Sequence, residues 1–396
     1  MATPDATMTA KRTGTHEFLL ERWVGDARVS RLYVRDRQMR IGCAQVRMAG
    51  IGAVWTDPTC RKQGHMRATM DYLVQFMRDE GFDVSLLFGI TDFYPRWGYA
   101  TMIPEHRLVI PATVRATSKL KVRAFRRGDM PAILGIYNAL NALRTGSIVR
   151  PPFPEDGFPK GVHWFSKAGL TVVEDEDGAV VGYVAYDTAE ARDEDQPRKP
   201  IRDRVDVAEV GASDPRAYDA ILKHLGVLAA RGGAEHITAW VPVDDPFALH
   251  CRSYGAEHRV STRPDGDAML CIVNLPQFLA KLEPELSRRV AGRGLSGSLR
   301  IRTERGAANL KVSNAGVRVV KRLADPDATF ALEQWKLLQL IFGYRTLVDV
   351  LSDPREAAFP PGETPARRVE VEPWLATMAD ALFPQQWAYC SHPDWF

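Results

Sequence analysis

The chain has 396 residues, enough for two or three domains with real cores, and its 45% hydrophobic and 26% charged content is that of an ordinary globular protein. A net charge of +3, from 52 basic and 49 acidic side chains, is too balanced to point to nucleic acid. Five scattered cysteines (Cys43, Cys60, Cys251, Cys271 and Cys390) without a Cys-x-x-Cys spacing argue against a disulfide framework or zinc site and for a reducing, cytoplasmic setting, while no run approaches the ~20 apolar residues of a membrane span or the pattern of a signal peptide.

Residues 1–13 are polar and read as a disordered leader. Two strand-like runs, 29–34 and 39–43, flank Arg35-Asp36-Arg37 as a hairpin. A short apolar strand at 51–55 then leads through Thr56-Asp57-Pro58 into the polar loop Arg61-Lys62-Gln63-Gly64-His65-Met66. Met66, Met70, Leu73, Val74 and Met77 recur at three-to-four-residue spacing and predict a helix. Gly64 lies where that helix begins, so its first amides face back into the loop. A phosphate accepted there gains from those amides, the helix dipole and the adjacent cations. A second apolar strand, 84–88, and Phe93-Tyr94-Pro95-Arg96-Trp97-Gly98-Tyr99 complete the stretch.

A second unit begins near Lys121, with a helix over 131–143, a proline-rich loop over 151–159 and a hairpin at 171–173 and 180–184. The segment 187–204 alternates acids and bases and reads as a solvated loop. Farther on, Ser213-Asp214-Pro215 echoes Thr56-Asp57-Pro58, and Arg252-Ser253-Tyr254-Gly255 echoes Pro95-Arg96-Trp97-Gly98. Pro and Gly stand 40 residues apart in both copies. Such order at domain scale is an internal duplication. The second copy is five residues shorter where the Arg61–Gly64 loop should be and carries Cys251 in place of Tyr94, so it reads as a decayed, structural repeat. From about Pro276 the pattern changes to a helix (277–290), strands at 299–302, 308–312 and 317–320, helices near 335–342 and 345–351, a linker over 353–365 and a terminal helix at 374–382. Helices over an antiparallel sheet suggest an α+β domain.

The stretch from Val54 to Tyr99 resembles the acyl-CoA binding core of GNAT acyltransferases, whose loop reads Gln/Arg-x-x-Gly-x-Gly/Ala. Arg61-x-x-Gly64-x-Met66 fits at two positions and departs at the third. That departure, and the run from Leu87 to Tyr99, are similar to the Eis-type (enhanced intracellular survival) acetyltransferases. The resemblance implies a mixed α/β and α+β chain: an active GNAT domain at 1–117, a degenerate second copy at 118–275 and a sterol-carrier-like domain at 276–396. A GNAT domain normally begins with a strand and two helices that wall the acceptor pocket. Only residues 15–25 are available for them here, so either the start is late or the pocket is more open.

The resemblance further implies an acetyl-CoA-dependent N-acetyltransferase acting by direct attack in a ternary complex. Val54 and Thr56 would align the pantetheine arm like an added strand, and Arg61, Lys62, Gln63, Gly64 and His65 would hold the pyrophosphate. Tyr94, with a resting pKa near 10, would protonate the leaving thiolate; Trp97 and Tyr99 are assigned to packing. In Eis-type enzymes the terminal carboxylate is the base, which places that role on Phe396, after His392-Pro393-Asp394-Trp395. An α-carboxyl has a pKa of ~3.5, so burial must raise it or a water must relay the proton. His392 is a candidate partner for it. The acceptor would be a primary amine, aminoglycoside- or polyamine-like or a lysine side chain, with Asp57 and Asp92 as candidate acidic contacts; each also suits a turn or loop. Met66 and Trp55 near the thioester leave acyl size open. No histidine pair has metal-ligand spacing, so no metal is expected. Relatives assemble as hexamers, which implies a homo-oligomer. The alternatives are a non-catalytic CoA-binding or regulatory protein, and transfer of another acyl group or to another nucleophile.

Overall fold

The computed structural model describes residues 6–151, 168–187, 204–263, 266–353 and 373–396. In chain order the first elements are β1 (Ala6–Gly14), β2 (Glu17–Val24), β3 (Ala27–Ile41), β4 (Ala44–Thr56), α1 (His65–Asp79), β5 (Val84–Gly89) and β6 (Ala100–Thr101). There follow β7 (Glu105–Pro111), β8 (Lys121–Ala124), α2 (Met130–Leu140), β9 (Ile148–Val149), β10 (Ala168–Glu174), β11 (Val180–Asp187), β12 (Arg204–Ala212), α3 (Arg216–Gly232), β13 (His236–Ala239), α4 (Pro246–Cys251) and β14 (Glu257–Ser261). The last are β15 (Asp267–Ile272), α5 (Leu275–Val290), β16 (Gly297–Thr303), β17 (Gly306–Ser313), β18 (Gly316–Val320), β19 (Ala328–Ala331), α6 (Gln334–Ile341), α7 (Leu347–Ser352) and α8 (Pro373–Leu382). These elements form two compact units. The first holds Met1–Ile103, Arg263–Ala388 and Phe396; the second holds Pro104–Thr262 and Tyr389–Trp395.

In the first unit the strands run in the order β1-β2-β3-β4-β5-β15-β6. All neighbours are antiparallel except β4 and β5, a parallel pair joined by α1, which crosses over the sheet. Thr69, Met70, Leu73 and Met77 bury one face of α1 in a core with Leu32, Ala49, Ile51, Leu87 and Met269. Each fully buried aliphatic side chain there is worth about 1.5–3 kcal/mol.

Two local expectations are overturned here. Residues 6–14 are not a disordered leader but β1, paired from Ala6↔Val24 to Gly14↔Glu17; a hydrogen-bond ladder, not an apolar pattern, orders this polar strand. Residues 29–43 are likewise not a hairpin, because β3 is one continuous strand through Arg35-Asp36-Arg37. The charges that suggested a turn are paired along the sheet. Arg35 reaches Glu17 at 3.3 Å, and Asp36 accepts from Arg47 on β4 at 2.7 Å.

The same unit contains a four-stranded sheet, β18-β17-β16-β19. It includes one strand the sequence did not suggest: β19, only four residues long, runs parallel to β16. Helix α5 is covered along one stripe by Leu275, Phe278, Leu279, Leu282 and Leu286.

The second unit carries the sheet β14-β7-β13-β12-β11-β10-β8, with the buried face of α3 (Ala217, Ile221, Leu222, Leu225) in its core. Its β12–α3–β13 arrangement repeats β4–α1–β5, again a parallel pair crossed by a helix. Both copies then close on a 3₁₀ turn ending in a left-handed glycine, Gly98 (φ 85°) and Gly255 (φ 74°), so the internal duplication extends to the fold. The proline-rich loop, the charged segment and the linker expected at 151–159, 187–204 and 353–365 lie largely outside the described residues. No described helix is long and apolar enough to cross a membrane.

Candidate active site

The site is set by where β4 and β5 stop pairing. Their parallel ladder runs only from Met48↔Val84 to Ile51↔Leu87, although β4 continues to Thr56 and β5 to Gly89. On its other side β4 bulges: Arg31 faces Trp55 and Tyr33 faces Gly52, leaving Ala53 and Val54 opposite one residue. Ala53 takes the left-handed φ of 48° that the bulge requires. The sheet is therefore open beyond Ile51, with the backbone of Gly52 to Thr56 unpaired toward β5. A chain laid in that gap can hydrogen-bond to Val54 and Thr56 as an added strand.

At the top of the gap stands the start of α1. Gly64 is its N-cap, at φ 83°, with no side-chain cap, and a β-carbon built on it would meet nothing within 4 Å. The amides of the first turn have no side-chain cap and adjoin Arg61 and Lys62, which are exposed and form no ion pair among the described residues. Uncapped amides, adjoining cations and room are what a diphosphate needs. The side chains of Gln63 and His65 are engaged locally. The Gln63 side chain turns back to donate to the Thr59 carbonyl at 3.2 Å, and the His65 Nδ1 accepts from Arg22 on β2 at 3.4 Å, leaving their backbone amides as the available donors.

Tyr94 opens the 3₁₀ turn Tyr94–Trp97 and is buried, its ring edge-on to Phe93 and Tyr99. Gly89 makes room for it, since a β-carbon there would lie 2.6 Å from the Tyr94 ring. Burial pushes the phenol pKa above its ordinary value of 10, so the group is a proton donor at neutral pH. Trp97 and Tyr99 are packing residues: the Trp97 indole donates to Asp71 on α1 at 2.7 Å, and the Tyr99 hydroxyl meets Ser85 at 2.7 Å.

Phe396 sits on β4 just where pairing ends. A β-carbon on Gly50 would come within 2.7 Å of its ring, one on Gly52 within 2.9 Å of its terminal carbonyl carbon, and its ring packs against Phe88 at 5.8 Å. Gly50, Gly52 and Phe88 were not singled out from the sequence. Two glycines at i and i+2 inside an apolar strand are, however, a sign of close approach by other atoms. Gly89 admits Tyr94 to the sheet face that carries Leu87 and Met269, whereas Gly50 and Gly52 admit Phe396 to the opposite face. The phenol and the terminal carboxylate therefore flank the open end of the β4–β5 gap from its two sides.

Other candidates are placed elsewhere. Asp57 caps its own turn, accepting from the Thr59 amide at 2.8 Å; these Thr59 hydrogen bonds, the side-chain one first, lower its pKa. Asp92 is an exposed loop residue at φ 62°. His392 lies in the second unit, stacked on Trp395 at 3.9 Å. Trp55 lies beneath Arg28 and Arg31, and Met66 is half-buried at the edge of the α1 core.

The second copy lacks this equipment. At the start of α3 the Arg216 amide is already taken by the Asp214 carboxylate at 2.9 Å. In the place of Tyr94, Cys251 is fully buried.

Residues 8–102 match one family described as acetyltransferase (GNAT) domain, and residues 159–264 match a second family of the same description. The chain carries two GNAT acetyltransferase domains and is an acyltransferase. No curated protein matches the sequence. Among solved structures, a GCN5-related N-acetyltransferase from Kribbella flavida is 19% identical with a TM-score of 0.66, over 96% of this chain and 87% of that one. An Enterococcus faecalis V583 protein described as a probable N-acyltransferase is 16% identical (TM-score 0.69, 96% and 90% covered), and Eis1 from Mycobacterium abscessus is 18% identical (TM-score 0.61, 97% and 91% covered). At these identities the likeness establishes the fold, which all three share over nearly the whole chain.

Proposed function

We propose that this GNAT protein is an Eis-type N-acetyltransferase that moves the acetyl group of acetyl-CoA to a primary amine of an aminoglycoside- or polyamine-like molecule, or of a lysine, by direct attack in a ternary complex. The observation that carries the proposal is the position of Phe396: a terminal carboxylate seated on Gly52 at the open end of the β4–β5 gap, with Tyr94 across the sheet. The amides after Gly64, with Arg61 and Lys62, suit the diphosphate of the donor, and Val54 and Thr56 suit its amide-bearing arm. The terminal carboxylate takes a proton from the acceptor ammonium, directly or through water. The amine then attacks the thioester carbonyl, the carbon–sulfur bond breaks, the Tyr94 hydroxyl gives its proton to the departing thiolate, and the surplus proton on the new amide nitrogen passes through water to restore the phenol. No group on the protein is acylated.

In this reading residues 1–117 carry catalysis, 118–275 form a degenerate GNAT copy, and 276–396 a sterol-carrier-like domain, whose α5-covered four-stranded sheet is compatible with it. A cytoplasmic homo-oligomer, hexameric like its implied relatives, belongs to the same reading. The test is thiol release from acetyl-CoA with kanamycin, spermidine and Nα-acetyl-lysine amide, run on the full chain and on a variant lacking Phe396. Turnover on at least one amine, abolished by the deletion while acetyl-CoA still binds by calorimetry, is the expected result; a fully active deletion removes the carboxylate from its role.

A further inference from the structure

The C-terminal segment enters the second unit through a buried charge cluster that the acyl-transfer chemistry does not use. Arg150 donates to Asp394 from Nε (2.7 Å) and Nη2 (2.9 Å), and to Glu209 from Nη1 (2.9 Å) and Nη2 (2.5 Å). The three side chains are 3%, 8% and 5% exposed, a degree of burial at which unpaired charges would not be tolerated. Tyr137 donates to Asp394 at 3.1 Å and lies under the Arg150 guanidinium at 3.7 Å. Ser391 donates to Glu209.

The location matters as much as the chemistry. In the second copy the parallel pair β12–β13 stops at Val207↔Ala239, while β12 runs on to Ala212, so this sheet opens as the first one does. Glu209 lies on β12 just past the last pair, and Trp240 just past the end of β13. The tail engages both lips: Ser391 holds Glu209, the Tyr389 hydroxyl donates to the Trp240 carbonyl at 2.7 Å, and the His392 ring packs on Trp240 at 5.0 Å. In the second copy the opening is bridged by the tail of the same chain, from Ser391 on Glu209 to Tyr389 on Trp240.

We propose that the decayed GNAT copy has been converted from a cofactor cleft into an anchor for the C-terminal tail, with Asp394, Arg150 and Glu209 as positioning residues for the terminal carboxylate. Two residues beyond a fixed point can reach at most about 7 Å, so clamping Asp394 confines the carboxylate of Phe396 to a small volume. This explains why a sequence that lost its phosphate loop and its tyrosine keeps a splayed sheet and spends three charged side chains inside it. The inference rests on the carboxylate acting as base, but its structural half is testable without turnover.

The experiment digests the native full chain with carboxypeptidase A, which removes a C-terminal aromatic residue, and follows phenylalanine release. Wild type should resist, because Phe396 is 5% exposed. Asp394→Ala should release it about tenfold faster or more, the scale of losing charge-assisted hydrogen bonds. Asp394→Asn, which keeps an acceptor for Arg150 Nε, should stay close to wild type. Both retain the Arg150–Glu209 pair, and matched thermal melts confirm the fold. In the amine assay Asp394→Ala should lose about 100-fold in kcat with KM for acetyl-CoA unchanged, as expected of a displaced reacting group, and Asp394→Asn should recover most of it. Equal phenylalanine release from wild type and Asp394→Ala overturns the anchor, whatever the activity. Faster release with unchanged kcat, alongside an active Phe396 deletion, overturns the catalytic purpose of the anchor together with the base. Faster release with unchanged kcat and an inactive deletion overturns the positioning role alone.

Discussion

At the residue scale, Tyr94 carries the sharpest prediction. Removing its hydroxyl leaves the ring on Gly89 and its edge contacts with Phe93 and Tyr99 in place, so Tyr94→Phe should fold and bind acetyl-CoA like wild type. It should lose about 100-fold in kcat, the lower end for a positioned general acid. Because burial holds this phenol above 10, the wild-type rate should show no falling limb from it between pH 7 and 9; unchanged turnover in the Phe variant would dismiss the role. Tyr94 stood out in the sequence only through its place in the motif that the family resemblance supplies; the aromatics around it, taken alone, read as core, and its role is what the variant tests. Gly50 and Gly52 carried a signal too, but a glycine in a strand announces that something comes close without saying what. The visitor is 344 residues away in the chain, and no local pattern links the two.

At the element scale, α5 is fastened to the β3–β4 hairpin by one carboxylate. Glu285 accepts from the Cys43 amide at 3.0 Å, from Arg288 at 2.8 Å and from Arg289 at 2.6 Å. Gly42, at φ 56°, leaves the space into which that carboxylate projects. Burial alone would raise its pKa; Arg288, the Cys43 amide and Arg289 outweigh it and bring it down to about 2, from an ordinary 4.5. Since the folded value lies below the unfolded one, protonation favours unfolding. The stabilisation is complete above pH 4.5 and is lost as pH falls toward 2. Melting curves taken from pH 6 to 3 should show wild type losing midpoint temperature in that window. Glu285→Gln should start lower at pH 6 and lose less on acidification; parallel curves would assign the acid sensitivity elsewhere. The amphipathic helix itself was readable from its spacing. Strands β1 and β3 were not, because polar residues that pair across a sheet look, in sequence, like a leader and a turn.

At the scale of the whole molecule, the compact units do not follow the order of the chain. Strand β15, residues 267–272, pairs with both β5 and β6 in the first sheet, and Phe396 joins the same unit, whereas β7 lies in the second sheet between β13 and β14. The sequence announces each strand but not its partner, since pairing is a long-range choice made by burial on two faces. The duplication was legible because turns and glycine caps recur at fixed spacing; the exchange of strands leaves no such mark. Residues 1–117 alone would end the sheet at β5, baring a central strand whose Val84, Leu86 and Leu87 are buried in the full chain, and unpaired apolar edges aggregate. That fragment should therefore be insoluble, or lack a cooperative thermal transition by circular dichroism. If residues 1–117 instead gave a monodisperse species by size exclusion with a sharp melt, β15 would be dispensable, and the first GNAT unit would be complete within its own stretch of sequence.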